Sequence, residues 1–416
     1  MKELKSNIIV VGFNIRPLAY SLSRAGYKVY AVDFFGDLDL APYIEDSLII
    51  TEELQSNYEE IKDNYKKFLA KFTLNLLERY PDVNYILIGS GLDDALEERK
   101  MIENKIKQNS SITSLNNDIN TIENSRNIFK VYEYLELEKF SYPLTKRLDQ
   151  VDTTIGPFPF PFPLVLKKTT SSGGTNVFKI NNKRELSLKM GIVHKQGEEK
   201  EWLLQEYIKG NPVSCTLISN GMDSKIITVN QQIIGMKKLN PPREFIYCGN
   251  TVPLDLSKEV IQLIIKISHH LAKLLRLKGI NGFDFVVRGH QAYLMEINPR
   301  IPGSIRASEE ALGMNLLQLH VKSFYPKNWN EIVNNLLKVN SKKKVYCTKL
   351  IFFAPKTISR DSIEQINKIQ EVHDKSDPTR NITKGEPVCT ILYQDTSFSG
   401  SQSGALKIVD KINTLI

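Results

Sequence analysis

The sequence predicts a chain of mixed α/β and α+β class: a doubly wound α/β domain first, an α+β central region next, and a small β-rich module at the end. Three observations predict it. Residues 7–33 read as strand, glycine turn, helix, and a second strand ending on an acid. Residues 282–298 read as two strands joined by a tight Arg288-Gly289-His290-Gln291 turn. Residues 344–353 and 387–393 are apolar, β-branched and aromatic runs that close the chain.

Asn7-Ile8-Ile9-Val10-Val11 is an unbroken apolar run, as expected of a strand covered on both faces. Gly12 turns it into a helical stretch from Pro17 to Ala25, with Gly26 as C-cap. Lys28–Val32 returns as a strand and ends at Asp33; Tyr85–Ile88 is a further strand ending at Gly89-Ser90-Gly91. Open parallel sheets bind ligands beyond the carboxyl ends of their strands, so Gly12, Asp33 and Gly89–Gly91 are the expected ligand edge. The first turn reads Gly12-Phe13-Asn14-Ile15-Arg16-Pro17 and lacks the GxGxxG pattern, which excludes the usual dinucleotide fingerprint.

Residues 104–124 are rich in Asn and Ser and read as a linker or surface loop. A helix follows over Ser125–Leu137, with Ile128, Tyr132 and Leu135 on one stripe. Alternating prolines at 157–163 exclude helix and central strand, so that segment is an extended lead-in. With 416 residues the chain exceeds one simple core, and its 41% hydrophobic and 25% charged residues are those of a globular protein. No apolar run approaches the roughly 20 residues that span a bilayer. The opening Met1–Ser6 lacks signal-peptide architecture, and a cytoplasmic protein is expected. Cys215, Cys248, Cys347 and Cys389 form no CxxC pair, so neither a zinc site nor a disulfide scaffold is expected. The net charge of +8 suits anionic ligands. No basic stripe is interleaved with aromatics, so no nucleic-acid partner is expected.

Three segments carry chemistry. Leu164-Val165-Leu166-Lys167 is a strand with a lysine near its end, and it runs into Ser171-Ser172-Gly173-Gly174-Thr175. Small residues let backbone N–H groups approach phosphate oxygens, and Lys167 supplies a point charge. The spacing is not that of a Walker A loop. Trp202-Leu203-Leu204-Gln205-Glu206-Tyr207-Ile208 is a buried strand that could offer backbone groups to an adenine and a carboxylate to a ribose. In the hairpin, alternation puts Glu296 and Asn298 on one face, with Asp284 on the paired strand beside them. Two carboxylates and an amide oxygen suit Mg²⁺. Arg300, two residues on, could stabilise negative charge developing on a phosphorylated species.

In this order, the three segments resemble the ATP-grasp superfamily over roughly residues 120–325, with Glu296-Ile297-Asn298-Pro299-Arg300 the most specific piece. The resemblance implies a Rossmann-like pre-ATP-grasp domain over 1–115, a two-lobed ATP-grasp domain over 120–205 and 206–330, and the small β-rich module over 340–416. It implies that Lys167 contacts ATP phosphates, that residues 171–175 cover them, and that Glu206, Tyr207 and Ile208 lie at the adenosine. Asp284, Glu296 and Asn298 would hold Mg²⁺ or Mn²⁺, and Arg300 would face an acyl phosphate. Many members carry a second phosphate lysine on the helix before the Lys167 strand; Ile128 stands in that register, and neither Arg126 nor Lys130 is assigned the role. The Gly12…Arg16…Ala19 turn, Phe34–Asp39 and Gly385–Cys389 further resemble predicted ATP-dependent carboligases related to biotin carboxylase.

The expected activity is an ADP-forming ligase that joins a small-molecule carboxylate to an amine; a bicarbonate-using carboxylase and a non-catalytic nucleotide-binding protein are the alternatives. Homodimers are common in proteins of this kind. Arg16, Asp33, Ser90, Arg243, Arg300 and Ser304 are candidates for holding the acceptor. A helix over Ile305–Leu312 would point its N-terminus at an anionic group. No lysine stands in a biotin-carrier context, and Ser397–Ser401 reads as a turn.

Overall fold

The computed structural model describes residues 6–56, 58–151, 161–170, 173–339 and 344–416. The apolar N-terminal runs form a parallel sheet from β1 (Asn7–Gly12), β2 (Lys28–Asp33), β3 (Asp46–Ile49), β4 (Tyr85–Ile88) and β5 (Thr113–Ser114), in the order β3-β2-β1-β4-β5. Alternation along β1 sends Ile9 and Val11 to one core, against the helices Tyr65–Arg79 and Leu96–Lys107. Ile8 and Val10 go to a second core, which the helix Arg16–Arg24 shares with the helices Ile305–Leu312 and Leu316–Ser323. The N-terminal sheet therefore packs directly on the part of the chain that carries Arg300.

The Asn- and Ser-rich stretch is not a linker. Thr113–Ser114 pairs with β4, and Ile119–Arg126 is a helix whose N-cap Asp118 accepts from the Thr121 N–H. Polar residues that looked like loop composition work as caps and turn anchors here: Asn116 Oδ1 accepts from the Ile88 N–H at 2.8 Å. The expected helix over 125–137 is broken at Asn127, which ends one helix and caps the next, Ile128–Leu137. Of the proline-rich lead-in, residues 152–160 lie outside the described residues.

A four-stranded sheet follows, from β6 (Thr145–Arg147), β7 (Leu164–Lys168), β8 (Val177–Ile180) and β9 (Trp202–Glu206), ordered β6-β9-β7-β8 and covered by the helix Lys183–Gln196. The rest of the chain builds one antiparallel sheet of eight strands. They are β10 (Asn211–Asn220), β11 (Ser224–Ile234), β12 (Tyr247–Val252), β13 (Lys278–Arg288), β14 (Gln291–Asn298), β15 (Tyr346–Phe353), β16 (Val372–His373) and β17 (Pro387–Asp395). Their order is β14-β13-β10-β11-β12-β15-β17-β16, so the C-terminal strands extend the central sheet through the β12–β15 pairing. Ser397–Ser401 is not a turn: Ser397 Oγ accepts from the Gly400 N–H at 3.0 Å and caps the closing helix Phe398–Thr414. The four cysteines are buried and unbridged. No helix among the described residues is long and apolar enough to cross a membrane.

Candidate active site

The β13–β14 register sets Asp284 opposite Glu296 and Gly282 opposite Asn298. Alternation then brings all three polar side chains to one face of the sheet. Asn298 Nδ2 donates to Asp284 Oδ2 at 3.0 Å and to Glu296 Oε1 at 3.4 Å. Gln232, on β11, donates to Asp284 Oδ1 at 2.8 Å. Burial, and then the charge of Glu296, push the Asp284 carboxyl well above its usual range. Among the described residues neither carboxylate belongs to an ion pair. Two carboxyl groups held together, with Lys167 and Arg300 acting on them only at a distance, fit a hard divalent cation, to which Asn298 could turn its Oδ1 by a half rotation of the amide.

Lys167 extends from β7 towards the same cleft. Burial holds its ammonium below its usual value; Glu296 opposes that shift and Arg126 adds to it. Arg126 also acts on Asp93, so it lies within electrostatic range of both. The sequence pattern placed Ile128 in this slot because it assumed one continuous helix. The break at Asn127 instead makes Arg126 the last residue of the preceding helix. Asn127 in mid-pattern, with Lys130 three residues on as the donor to its side chain, is the signal that marks it. Lys130 points elsewhere, to Asn124 Oδ1 at 2.8 Å.

Between the two sheets the chain runs through Gln205–Lys209. Gln205 is buried, and its Nε2 donates to Tyr132 Oη at 3.1 Å and Thr145 Oγ1 at 2.8 Å. Its side-chain amide thus ties the seam. Glu206 ends β9 half-buried, its N–H donating to the Leu144 carbonyl at 2.8 Å. Tyr207 and Ile208 lie outside any ladder, with Lys179 Nζ 4.4 Å from the Tyr207 ring centroid.

Ser171 and Ser172 lie outside the described residues. Gly173 accepts from the Tyr247 N–H at 3.3 Å, and the Arg243 guanidinium donates to the Thr175 carbonyl. Gly174 has φ +80°, and a Cβ there would stand 1.9 Å from the Phe245 carbonyl oxygen. The glycine loop of the four-stranded sheet therefore rests on residues 243–247 of the larger sheet. Arg243 serves this contact.

Arg300 does not continue the alternation of β14. Its N–H donates to the Asn298 carbonyl at 2.7 Å, and its Nε donates to Asp93, beyond the end of β4. It still lies within electrostatic range of Glu296 and Asp284. Burial works against the Asp93 carboxylate, yet Arg300, Arg126 and Arg99 hold it below its usual value.

The other acceptor candidates divide. Asp33 organises a turn: its carboxylate accepts from the N–H groups of Ile15 at 2.7 Å and of Phe35 and Gly36 at 2.8 Å, and burial raises it to about 6. The Ser90 carbonyl accepts from the Phe13 N–H, and Ser304 Oγ is packed 3.4 Å from both Thr216 Oγ1 and Asn230 Nδ2. Arg16 is buried against Asp374 at 2.7 Å and Asp39 at 3.5 Å. Asp93, Gln232, Tyr247 and Lys349 join the neighbourhood without any motif to announce them.

Residues 126–304 match the family model described as an ATP-grasp domain. An uncharacterized protein of Methanocaldococcus jannaschii is 27% identical over 93% of this chain and 88% of its own. The carbamoyl phosphate synthase large chain of Clostridium acetobutylicum is 25% identical over 39% of this chain, a stretch that spans only 15% of that protein. Among solved structures, an L-amino acid ligase from Bacillus licheniformis superposes with a TM-score of 0.70 at 16% identity, over 98% of each chain. A biotin carboxylase from Campylobacter jejuni gives 0.66 at 13% identity, over 96% of this chain and 89% of that one. These likenesses show the fold. Residues 126–304 thus carry an ATP-grasp domain, and the chain as a whole shares the fold of these solved structures.

Proposed function

We propose that the chain is an ATP-dependent, ADP-forming ligase that joins a small-molecule carboxylate to an amine. One observation carries this reading: Asp284, Glu296 and Asn298 meet on a sheet face that also lies within electrostatic range of Lys167 and Arg300. Lys167 and Arg126 bind the phosphates of ATP as fixed cations. The N–H groups of Gly173 and Gly174 approach them from above, and the linker at Tyr207 and Ile208 receives the adenosine. Asp284, Glu296 and Asn298 hold Mg²⁺, which when bound draws charge from the phosphate oxygens. Arg300, oriented by Asp93, faces the carboxylate substrate. The γ-phosphoryl group passes to a carboxylate oxygen and ADP leaves. The amine nitrogen then attacks the acyl carbon, the carbon–oxygen bond to phosphate breaks, and nitrogen loses a proton.

Phosphate release from Mg-ATP, measured with pooled carboxylates and amines, tests the reading. Release that needs one acid and one amine, and that Glu296→Gln abolishes, supports it. Release driven by bicarbonate alone makes the protein a carboxylase. A wild-type protein that does not bind Mg-ADP defeats the assignment of the site.

A further inference from the structure

The strand β12 opens with an irregular step. Ile233 pairs with Gly249 but Ile234 pairs with Tyr247, so Cys248 has no opposite residue. An extra residue in one strand re-aims the side chains that flank it. Strict alternation would send Tyr247 and Asn250 to opposite faces. The bulge brings both to the face of Gln232 and Asp284, and the Tyr247 hydroxyl donates to Asn250 Oδ1. The Asn250 amide is fixed in turn, since its Nδ2 donates to Ser214 Oγ and to the Gln231 carbonyl, both at 3.3 Å. Burial, and then the charge of Asp284, raise the Tyr247 hydroxyl above its usual value against the opposing effect of Arg300. It stays protonated and serves as a strut rather than a proton carrier.

Tyr247 touches two parts of the site that the chain supplies separately. Its N–H donates to the Gly173 carbonyl at 3.3 Å, in the glycine loop. Its ring lies against Gly303, where a Cβ would stand 3.5 Å from both Cε1 and the hydroxyl oxygen. Gly303 belongs to the turn that follows Arg300. In the same turn Pro302 packs on Gly282 of β13, where a Cβ would stand 3.2 Å from the proline Cβ. The Gly303 carbonyl accepts from Lys349 Nζ at 3.0 Å. The turn is thus seated on β13 and on the Tyr247 ring.

Phosphoryl transfer depends on the separation of donor and acceptor, and a misplacement of about 1 Å can cost roughly a hundredfold in rate. On the ligase reading, on which this inference rests, the glycine loop covers the donor and Arg300 faces the acceptor. We propose that Tyr247 is a positioning residue that ties the Arg300 turn to the glycine loop. Its backbone holds the loop and its ring holds the turn, so a nucleotide that settles the loop also settles the turn. Tyr247 acts through Arg300 and takes no part in bond making. The bulge at Cys248 is what allows this, because without the extra residue the ring would turn away from Gly303.

Hydrogen–deuterium exchange with and without Mg-AMP-PNP tests the tie and requires neither the acid nor the amine. In the wild type the nucleotide should slow exchange over residues 173–180 and also over 300–305, the latter roughly fivefold or more, the scale of coupling between two sites. In Tyr247→Ala the slowing over 173–180 and the affinity for Mg-AMP-PNP, read by isothermal titration, should stay within about twofold of wild type, while the slowing over 300–305 is lost. Tyr247→Phe keeps the ring and should restore it. Thermal unfolding confirms that each variant is folded; should Tyr247→Ala not fold, Tyr247→Leu, which keeps apolar bulk without the reach of the ring, is read in its place. Slowing over 300–305 that persists in Tyr247→Ala, or that is absent from a wild type slowed over 173–180, would overturn the tie. So would a Tyr247→Phe variant as deficient as Tyr247→Ala, or a matching loss of nucleotide affinity in Tyr247→Ala, which would make Tyr247 a scaffold residue only. A wild type that does not bind Mg-AMP-PNP defeats the ligase reading itself, and the tie with it.

Discussion

Asp284 and Glu296 stand directly across from each other on paired strands, bridged by the Asn298 amide and by no cation side chain. In metal-free buffer Glu296→Gln should raise the melting temperature, since relieving one like charge is worth on the order of 1 kcal/mol. The same variant should lose the stabilisation that Mg-ADP gives the wild type. The sign of its pH dependence follows: folding raises the Asp284 carboxyl, so the wild type gains stability as pH falls through that raised value. The variant gains less. Differential scanning fluorimetry across pH, with and without Mg-ADP, reads all three effects.

Arg126 and Lys130 offer a paired comparison. Arg126→Ala should raise the KM of ATP roughly tenfold or more by removing a cation beside Lys167. Lys130→Ala should leave it within twofold or so, because that ammonium is turned to Asn124. Equal effects would mean that the helix break at Asn127 does not select between them.

Asp93→Asn leaves Arg99 and Arg300 buried without their carboxylate. Removing one partner from a buried ion pair costs about 3–5 kcal/mol, and urea unfolding of the variant should show a loss of that order.

Gly174→Ala introduces a Cβ into the Phe245 carbonyl at a backbone angle that disfavours any side chain. The loop must lift from residues 243–247, so ATP affinity should fall while the melting temperature of the unliganded protein moves little. Isothermal titration with a non-hydrolysable ATP analogue checks the first and thermal unfolding the second.

His320 and His373 are both held to about 4 by burial. The His320 ring accepts from the Ile280 N–H and contacts the Leu115 carbonyl, so it is satisfied while neutral. Between pH 6.5 and 4 the unfolded chain binds protons that the folded chain refuses, and stability should fall with pH across that window. His320→Gln should flatten part of the fall in a denaturant titration repeated at each pH.

Elements whose residues carry a local signal were legible in the sequence. The strand at Tyr85–Ile88, the helix at Ile305–Leu312 and the convergence of Asp284, Glu296 and Asn298 follow from periodicity alone. What was hidden depended on partners distant in sequence. The Gln205 amide is taken up by Tyr132 and Thr145, 73 and 60 positions away. Arg16 meets Asp374 across 358 positions, and Asp93 meets Arg300 across 207. No spacing rule reports such pairs. The Asn-rich stretch was misjudged because composition does not distinguish a polar residue facing solvent from one capping a helix.

The pairing of β12 with β15 joins residues 249–252 to residues 347–350 within a single sheet. During synthesis, β12 emerges about 100 residues before the strand that covers it. Until then a nascent chain holds an open edge of Cys248-Gly249-Asn250-Thr251-Val252, whose unpaired backbone N–H and C=O groups are able to pair with another chain. A fragment ending near residue 339 would keep that edge permanently. Trimming the sequence beyond residue 339 to obtain a smaller catalytic unit should therefore yield aggregates.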